Sequence, residues 1–420
     1  MPLVSSIFIT NPILINCLME RYPRLVLKPG KETALQRRHP WIFSGAVKNM
    51  PARMFDGDVV EVFSASGEYL ATGHFQYGGI MVKVFSFTRQ PVNLSFWTER
   101  IREACDRRKA MGLFDLPGTN VCRLVHSEGD QLPGLIIDWY NGVAVIQTQS
   151  AGMNRVKHEV AEALQTIFGD RLKAIYDKSR ESLRASLERA EGNAGNNTTS
   201  DGFLLGESET GEISESGHRF LVDFVKGQKT GFFLDQRLNR MLVQQYARGR
   251  KVLNAFSYTG AFSVYALAGG ATMVHSVDSS QEAIRRAAEN IALNGYPGDM
   301  HRETVADVKQ FLPALDETYD MIILDPPAFA KTHTVTHNAL QGYIHINAEA
   351  LKKLNPGGLL FTFSCSQAIS REMFRSAVQA AAIETGRESV ILHHLSQGPD
   401  HPVSIFHPEG EYLKGIVLLA

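Results

Sequence analysis

The feature that most constrains this chain is a series of short apolar runs between residues 251 and 366, separated by segments of helix length. The runs lie at 251–256, 273–278, 319–325 and 358–366. Continuous apolar runs of this length are typical of strands buried on both faces of a parallel sheet. Because open α/β sheets bind ligands beyond the carboxyl ends of their strands, we expect a site that contains Asn254, Asp278, Asp325 and Cys365.

Length and composition limit the number of domains, the compartment and the partners of the chain only broadly. A chain of 420 residues is expected to form two or three domains, and its net charge of −1 excludes neither nucleic acids nor acidic partners. The four cysteines form no C-x-x-C pair, so we predict a reducing, cytoplasmic setting without a disulfide framework or a metal site. No apolar run is long enough to span a bilayer, and no membrane partner is expected.

The first domain is expected at residues 23–94, after an extension at 1–22 that is either poorly ordered or an upstream start with Met19 as the working one. Short strands at 24–27, 58–63, 69–75 and 81–87 predict a small β-barrel. Lys28, Arg37 and Arg38 precede an aromatic run at 40–43, and cations beside aromatic rings suit RNA phosphates and bases. An ordinary basic loop beside a core tryptophan is the alternative.

An α+β middle domain is expected at 95–190. It begins with an amphipathic helix at 94–112 whose outer face is basic, and Asn141-Gly142 predicts a hairpin. Residues 191–216 are rich in Gly, Asn, Ser and Glu and are interpreted as a flexible linker or a hairpin. The third domain then covers 217–420.

The string at 227–240 is the most distinctive in the chain, and we name it the lid segment. Its glycines allow close backbone approach to a ligand, and its paired phenylalanines can cover an aromatic ring. We expect Phe233, Asp235 and Arg237 to contact a cofactor. Read otherwise, the segment is a strand-to-helix connection whose phenylalanines fill the core.

The loop after the first strand, with Asn254, Phe256, Tyr258 and Gly260, has one glycine where a dinucleotide fold needs three, so a dehydrogenase is poorly supported. S-adenosylmethionine carries no phosphate, and such a turn can hold its methionine end. Asp278 ends the second strand, where a carboxylate accepts ribose hydroxyls. Asp307 is expected either to bind the adenine amino group or to cap a helix.

Two further motifs address a substrate base. In the Asp325-Pro326-Pro327 turn, the prolines free backbone carbonyls that can face a planar base, on which Phe329 would stack; a plain rigid loop is the alternative. Cys365 suits attack on pyrimidine C6, which activates C5 for methylation. A buried core cysteine is the competing interpretation. The general base stays open among His393, His394, Asp400 and His401.

Residues 28–47 resemble the PUA RNA-binding domain, with Lys-Pro-Gly-Lys-Glu followed by Arg-Arg-His-Pro-Trp-Ile-Phe-Ser-Gly-Ala-Val. From that domain to the C-terminus the chain resembles the large-subunit ribosomal RNA cytosine-C5 methyltransferases. The resemblance implies a Rossmann-like domain that binds S-adenosylmethionine, ribosomal RNA as partner and Cys365 as nucleophile. It leaves the modified nucleotide, the form of the RNA and a homodimer open. The rivals are methylation of a base nitrogen and a non-catalytic RNA-binding assembly factor.

Overall fold

The computed structural model describes residues 22–114, 116–189, 200–208, 210–329 and 336–420. The predicted extension therefore lies outside the described residues, apart from Tyr22. In the part of the chain that is described, no helix combines the length and apolar character needed to cross a membrane.

The first unit is a six-stranded sheet with the strand order β2-β6-β5-β4-β1-β3. Its core contains apolar side chains such as Val60 and Val62 of β4, and both faces of that strand are largely buried. Strands β1 and β4 run parallel, and the other neighbours run antiparallel. The elements are β1 (Arg24–Leu27), α1 (Thr33–Gln36), β2 (Trp41–Phe43), β3 (Val47–Asn49), β4 (Val59–Phe63), β5 (Tyr69–Phe75) and β6 (Ile80–Ser86).

The middle unit is a five-stranded sheet, ordered β11-β10-β9-β8-β7, with helices packed against it. Its elements are α2 (Leu94–Ala110), β7 (Val121–His126), β8 (Leu135–Tyr140), β9 (Val143–Thr148), α3 (Ala151–Arg155), α4 (Lys157–Phe168), β10 (Ala174–Asp177), α5 (Arg180–Arg189) and β11 (Gly202–Leu205). The β8–β9 hairpin turns at Asn141 and Gly142, both with positive φ as the pair predicts.

Helix α2 corrects one expectation. Asn93 caps it through the Phe96 N–H, and Trp97 and Ile101 are buried as an amphipathic helix requires. Arg108, however, is fully buried instead of lying on a basic outer face. Its guanidinium donates two hydrogen bonds to Asp130, at 2.5 and 2.7 Å, which makes burial of this charge possible.

The segment 191–216 also differs from a flexible linker wherever it is described. Residues 202–205 form β11, which pairs with β10 and places Phe203 4.9 Å from the Tyr176 ring. Strand β12 (Thr210–Glu215) pairs with β13 (His218–Asp223), so the hairpin alternative applies to this part. Residues 191–199 lie outside the described residues.

The third unit is a seven-stranded sheet with the order β16-β15-β14-β17-β18-β20-β19. The strands run parallel except β20, which is antiparallel to both of its neighbours. Its elements are α6 (Arg237–Tyr246), β14 (Lys251–Ala255), α7 (Ala261–Ala268), β15 (Met273–Asp278), α8 (Gln281–Leu293), β16 (His301–Val305), α9 (Val308–Ala314), β17 (Tyr319–Leu324), α10 (Thr336–Lys352), β18 (Leu354–Ser364), α11 (Arg371–Thr385), β19 (Val390–Leu395) and β20 (Lys414–Leu419).

Burial on both faces of this sheet explains the continuous apolar runs. In β17, Met321 and Ile323 belong to one core layer, while Ile322 and Leu324 belong to the other. The strand order reverses between β14 and β17, which leaves a crevice at the carboxyl ends of these strands. The architecture confirms the predicted Rossmann-like domain.

Candidate active site

The ends of β17 and β18 bring the two predicted catalytic residues together. Asp325 directly follows β17, and Cys365 directly follows the neighbouring parallel strand β18. The Cys365 Sγ lies 4.0 Å from the Pro326 carbonyl oxygen, within the range of a weak S–H hydrogen bond. Cys365 is partly exposed, whereas Cys105 and Cys122 are buried, so among the described cysteines it is the one that a ligand can reach.

Both residues are shifted towards their protonated forms. Burial, reinforced by the nearby Asp235 carboxylate, raises the pKa of Asp325 to about 7. Gln236 Nε2 donates to Asp325 Oδ2 at 3.1 Å. Burial also raises the pKa of the Cys365 thiol, and the Asp325 and Asp235 carboxylates add to this effect. Neighbouring groups with shifted pKa values, in a crevice at the ends of strands, are typical of a reactive site.

Lys229 lies close enough to the site to act on its charges, although no sequence motif singled it out. Its positive charge opposes the rise in the pKa of both Asp325 and Cys365. Its ammonium lies 4.8 Å from the centre of the Phe233 ring, and its backbone is left-handed, with φ +49°. The sequence feature that could have identified Lys229 is its position in the lid segment, between Gly227 and Gly231.

The lid segment is anchored on the middle unit. The Thr230 hydroxyl is fully buried and donates to Asp138 Oδ2 at 2.6 Å, and it also bonds with the Tyr140 hydroxyl at 3.0 Å. Phe232 is buried in the core, whereas Phe233 is partly exposed and contacts Tyr258 edge-on at 5.3 Å. Phe232 therefore fills the core, and Phe233 lies at the crevice, where it could cover a ligand ring.

Asp235 offers an unused hydrogen-bond acceptor. Its Oδ2 accepts from the Tyr412 hydroxyl at 2.6 Å, whereas Oδ1 is buried and has no hydrogen-bond partner among the described residues. Burial by itself would raise the pKa of Asp235, but the Lys229 and His401 charges and the Tyr412 hydrogen bond hold it below its ordinary value. An anionic oxygen without a partner is suited to a cationic ligand group. Tyr412, 177 positions away in the chain, gave no sequence signal.

Arg237 does not occupy the predicted cofactor position. It is buried, its Nε donates to Glu215 Oε2 at 3.1 Å, and its Nη2 donates to the Val121 carbonyl at 2.8 Å. Arg240 Nε donates to the other Glu215 oxygen at 2.8 Å. The start of α6 faces β12 and the middle unit, so these cations pair with the buried Glu215 instead of the crevice.

The turn after β14 is set by three residues with left-handed backbone: Phe256 (φ +59°), Tyr258 (φ +47°) and Gly260 (φ +77°). The Tyr258 N–H donates to Asp278 Oδ2, and the Ser280 N–H donates to Oδ1, both at 2.9 Å. This fixes the Asp278 carboxylate at the end of β15 while leaving lone pairs on both oxygens.

Asn254 and Asp307 make contacts within the protein that bear on their predicted ligand roles. Asn254 is fully buried in β14, and its Nδ2 donates to Ser263 Oγ at 2.8 Å, so it supports the sheet beneath the turn. Asp307 is exposed and caps α9 by accepting from the Lys309 N–H at 2.9 Å. The helix-cap alternative therefore describes its contacts.

Phe329 has neighbours within the protein. Its ring lies 4.7 Å from the Tyr343 ring, and the Lys309 ammonium lies 4.5 Å from its centre. These contacts hold the ring against α10, and Phe329 remains partly exposed. Pro326 is buried and Pro327 is exposed, so the exposed surface of the turn is formed by Pro327.

The histidines left open as general bases are mostly engaged elsewhere. His401 Nδ1 lies 3.0 Å from Asp400 Oδ1, and both residues are buried. His393 Nε2 lies 2.9 Å from the Tyr246 hydroxyl, and His394 is exposed on the outermost strand, β19.

In the first unit, Lys28, Arg37 and Arg38 are all exposed. The Arg38 guanidinium lies 5.3 Å from the centre of the Phe87 ring, and Lys28 Nζ donates to the Gly45 carbonyl at 2.9 Å. Trp41 Nε1 donates to Glu128 Oε1 at 2.9 Å. The tryptophan is thus tied to the middle unit, and the basic side chains remain on the surface.

The crevice fits S-adenosylmethionine in three respects. The orphan Asp235 Oδ1 suits the amino group of its methionine part, and the fixed Asp278 carboxylate suits ribose hydroxyls. The turn at Phe256–Gly260 lacks the glycine pattern for a pyrophosphate, which this cofactor does not carry.

Comparisons with known families define the class. A family model described as S-adenosylmethionine-dependent methyltransferase matches residues 122–404, and a PUA-like domain model matches residues 25–87. A candidate S-adenosylmethionine-dependent methyltransferase from Streptococcus mutans shares the fold, with a TM-score of 0.80 at 23% identity over 94% of this chain and 100% of that one. A candidate methyltransferase solved in complex with SAH matches with the same score, identity and coverage. The chain is an S-adenosylmethionine-dependent methyltransferase.

Curated relatives narrow the family. Ribosomal RNA large subunit methyltransferase I from Salmonella arizonae is 39% identical over 401 residues, which cover 94% of this chain and 96% of the relative. The protein of the same name from Salmonella typhi is 38% identical over 402 residues, covering 94% and 97%. This chain belongs to the ribosomal RNA large subunit methyltransferase I family.

Proposed function

We propose that this protein methylates C5 of a cytosine in large-subunit ribosomal RNA through a covalent bond between Cys365 Sγ and C6 of the base. The observation that carries the proposal is the position of the partly exposed Cys365 thiol, 4.0 Å from the carbonyl of the Asp325-Pro326 turn. The names of the curated relatives support the choice of RNA.

The thiol has a specific task in this chemistry. Cytosine C5 is too weak a nucleophile to take a methyl group from a sulfonium donor. Attack of a thiolate at C6 converts the ring into an enamine, whose C5 is nucleophilic. After methylation, a base takes the C5 proton and the electron pair of the C6–S bond returns to sulfur, which regenerates the thiolate.

Asp325 is placed to manage the proton of the first step. A carboxyl with a pKa of about 7 exists in both forms near neutral pH, so it can accept a proton as readily as it donates one. In the proposed step Asp325 takes the Cys365 proton and passes it to N3 of cytosine. Protonation at N3 draws electrons from C6 and favours attack by the sulfur, and N3 loses this proton to solvent when the C6–S bond breaks.

Residues around the crevice would hold the cofactor. Bound S-adenosylmethionine supplies an electrophilic methyl group. Asp235 Oδ1 would accept from its amino group, Asp278 from its ribose hydroxyls, and Phe233 would close over the bound molecule. The Asp307 carboxylate, exposed at the α9 cap, is retained as the proposed contact of the adenine amino group.

The first unit would bind RNA outside the reaction centre. Lys28, Arg37 and Arg38 are exposed cations on one small sheet, which suits contact with phosphates. In this proposal the PUA-like domain contributes RNA affinity, and methyl transfer takes place at the crevice.

The test is methyl transfer to ribosomal RNA by wild type and Cys365→Ala, with the product nucleosides separated by mass spectrometry. We expect 5-methylcytidine from wild type, no product from Cys365→Ala, and equal SAH affinity for both. The buried Cys105 provides the matched control, because Cys105→Ala should retain turnover.

Other outcomes identify the rivals. An N-methylated nucleoside, made equally well by Cys365→Ala, would establish a base nitrogen as the target. Tight RNA binding by wild type without transfer to any ribosomal RNA would establish a binding protein.

A further inference from the structure

Two histidines and a glutamate meet where the PUA-like unit contacts the catalytic unit. His39 lies between α1 and β2 of the PUA-like unit, whereas His407 and Glu409 lie between β19 and β20 of the catalytic unit. His39 Nε2 lies 3.6 Å from Glu409 Oε1, and His407 Nε2 lies 3.7 Å from Glu409 Oε2. None of the three residues belongs to the crevice or to the RNA contacts proposed above.

His407 is the buried member of this cluster. Only 3% of its surface is exposed, and neither ring nitrogen has a hydrogen-bond partner among the described residues. Its ring packs edge-on against Trp41, with the ring centres 4.3 Å apart, and its centre lies 5.5 Å from that of the His39 ring. Buried polar atoms are normally hydrogen-bonded, so an imidazole with both nitrogens free is available to bind a ligand.

The positions of the ligand atoms suit a metal ion. One such atom from each of the three residues lies within 4.8 Å of the other two. In a tetrahedral zinc site, neighbouring ligand atoms are roughly 3.3 Å apart, because each lies about 2.0–2.2 Å from the metal. Glu409 is exposed and His39 is partly exposed, so rotation of these side chains can bring the atoms to that spacing. Two histidines and one carboxylate form a ligand set that Zn²⁺ accepts, with water in the fourth position.

The second ring nitrogen of His39 is held by the backbone. Its Nδ1 lies 3.4 Å from the Trp41 carbonyl oxygen and 3.2 Å from the Trp41 backbone nitrogen. With the proton on Nε2, Nδ1 accepts from the Trp41 N–H. With the proton on Nδ1, the ring donates to the Trp41 carbonyl, and Nε2 becomes a ligand that faces Glu409. Metal-binding histidines commonly donate their other N–H to a backbone carbonyl in this way.

The charges around the cluster favour a cation. The ionisable groups that act on His407 are Glu128, Glu409, His39 and Lys83. Burial lowers the pKa of His407, so its ring is neutral at physiological pH and keeps lone pairs for a metal. Burial by itself would raise the pKa of Glu128, but the Lys83 charge and two hydrogen bonds hold it below its ordinary value. The two carboxylates outweigh the single ammonium, so the surroundings are negative when the rings are neutral.

We propose that His39, His407 and Glu409 form a binding site for a divalent transition-metal ion of the zinc class, which joins the PUA-like unit to the catalytic unit. The cysteine spacing does not indicate this site, because its histidines come from opposite ends of the chain. A metal bound here would fix the proposed RNA-binding surface relative to the crevice. The inference does not rest on the reaction proposed for Cys365.

The test is calorimetric titration of the full-length protein with Zn²⁺, after treatment with EDTA and removal of the chelator. We expect one Zn²⁺ per chain, with a dissociation constant of about 1 µM or below. His39→Gln and Glu409→Gln should each weaken binding at least about tenfold, because even the loss of an outer-shell partner costs about 10- to 100-fold. His158→Gln, at an exposed histidine of α4, is the matched control and should bind Zn²⁺ like wild type.

His407→Gln removes the buried ligand and should also abolish tight binding. SAH affinity shows whether this variant is folded. If it is not, Glu409→Gln decides, because Glu409 is exposed and its substitution disturbs no core.

Two results would overturn the proposal. If wild type binds no Zn²⁺, the cluster is an ordinary contact between the two units. If either His39→Gln or Glu409→Gln binds Zn²⁺ as tightly as wild type, the metal is held elsewhere and does not bridge the units. Full turnover by Cys365→Ala would remove the covalent mechanism and leave the metal site unaffected.

Discussion

At the scale of single residues, Asp325 and Cys365 directly follow the neighbouring strands β17 and β18, and the Cys365 thiol lies 4.0 Å from the Pro326 carbonyl oxygen. Burial raises the pKa of both, that of Asp325 to about 7 and that of the Cys365 thiol above its ordinary value. In the proposed first step the pair holds one proton, which passes from sulfur to carboxylate to cytosine N3. The pair is inactive with two protons and with none.

This predicts a bell-shaped pH profile. As pH rises through about 7, Asp325 loses its proton, the pair reaches the one-proton state, and kcat/KM should increase. Above the pKa of Cys365 the second proton is lost and kcat/KM should fall. Methyl transfer measured over roughly pH 6–10 with subsaturating RNA checks this. A decrease in kcat/KM as pH rises through 7 would contradict the assignment.

Residues with a strong local motif were predictable, and residues defined by distant contacts were not. Asp325 and Cys365 stand out because each follows a buried strand. Arg237 was misassigned because its partner, Glu215, is 22 positions away on a hairpin. Tyr412 donates to Asp235 from 177 positions further along the chain, a contact that no local pattern reveals.

At the scale of elements, the turn between β14 and α7 depends on Gly260. Its φ is +77°, and a Cβ at this position would lie 2.7 Å from the Ala287 Cβ on α8. The close approach lets α7 and α8 pack together beneath the proposed cofactor site. Both the positive φ and the close approach of Ala287 therefore favour glycine at this position.

Gly260→Ala should therefore destabilise the protein by about 2–4 kcal/mol and weaken SAH binding. Gly249→Ala separates the two causes, because Gly249 also has a positive φ (+70°) but nothing lies within 4 Å of its added Cβ. It should cost about 1 kcal/mol and leave SAH binding intact. Urea unfolding and calorimetric titration with SAH measure both effects. Equal losses in the two variants would refute the steric argument.

Helices and strands were predicted correctly where the hydrophobic pattern and the turn residues indicate the same element. The runs of the third unit are apolar on both faces, and Asn141-Gly142 directly marks the β8–β9 hairpin of the middle unit. Strand β11 was missed because residues 202–205 follow a polar, glycine-rich stretch, and their pairing with β10 is a tertiary contact. Local composition does not encode that pairing.

At the scale of the whole molecule, buried arginines that are ion-paired also donate hydrogen bonds between the middle unit and the catalytic unit. Arg108 donates to Asp130 within the middle unit and to the Asp400 carbonyl of the catalytic unit, at 2.8 Å. Arg237 joins Glu215 to the Val121 carbonyl. Since each buried charge relies on its partners, loss of one leaves others unpaired.

Glu215→Gln should thus cost about 3–5 kcal/mol, because Arg240 would lose its buried carboxylate partner and Arg237 would keep only Asp400. Glu212 lies on the same strand but pairs with Arg219 at the surface, so Glu212→Gln should change stability little. Comparison of the urea midpoints tests this. Similar midpoints for the two variants would show that the buried pairs do not stabilise the junction.

The PUA-like unit makes a prediction about RNA affinity. If Lys28 and Arg37 contact phosphates, the double Lys28→Ala, Arg37→Ala variant should weaken RNA binding and reduce the slope of log affinity against log salt by about 1–2. Lys352→Ala, on α10, is the control and should leave the slope unchanged. Filter binding over a range of salt concentrations measures it. A variant slope equal to that of wild type would place the RNA elsewhere.

The central claim is the bond between Cys365 and the base, and trapping that bond tests it most directly. In ribosomal RNA containing 5-fluorocytosine, methylation at C5 leaves no proton to remove, so the C6–S bond cannot break. Wild type with S-adenosylmethionine should then give a denaturation-resistant protein–RNA adduct whose crosslinked peptide contains Cys365. The absence of an adduct from an enzyme that is active on unmodified RNA, or an equal adduct with Cys365→Ala, would contradict the account.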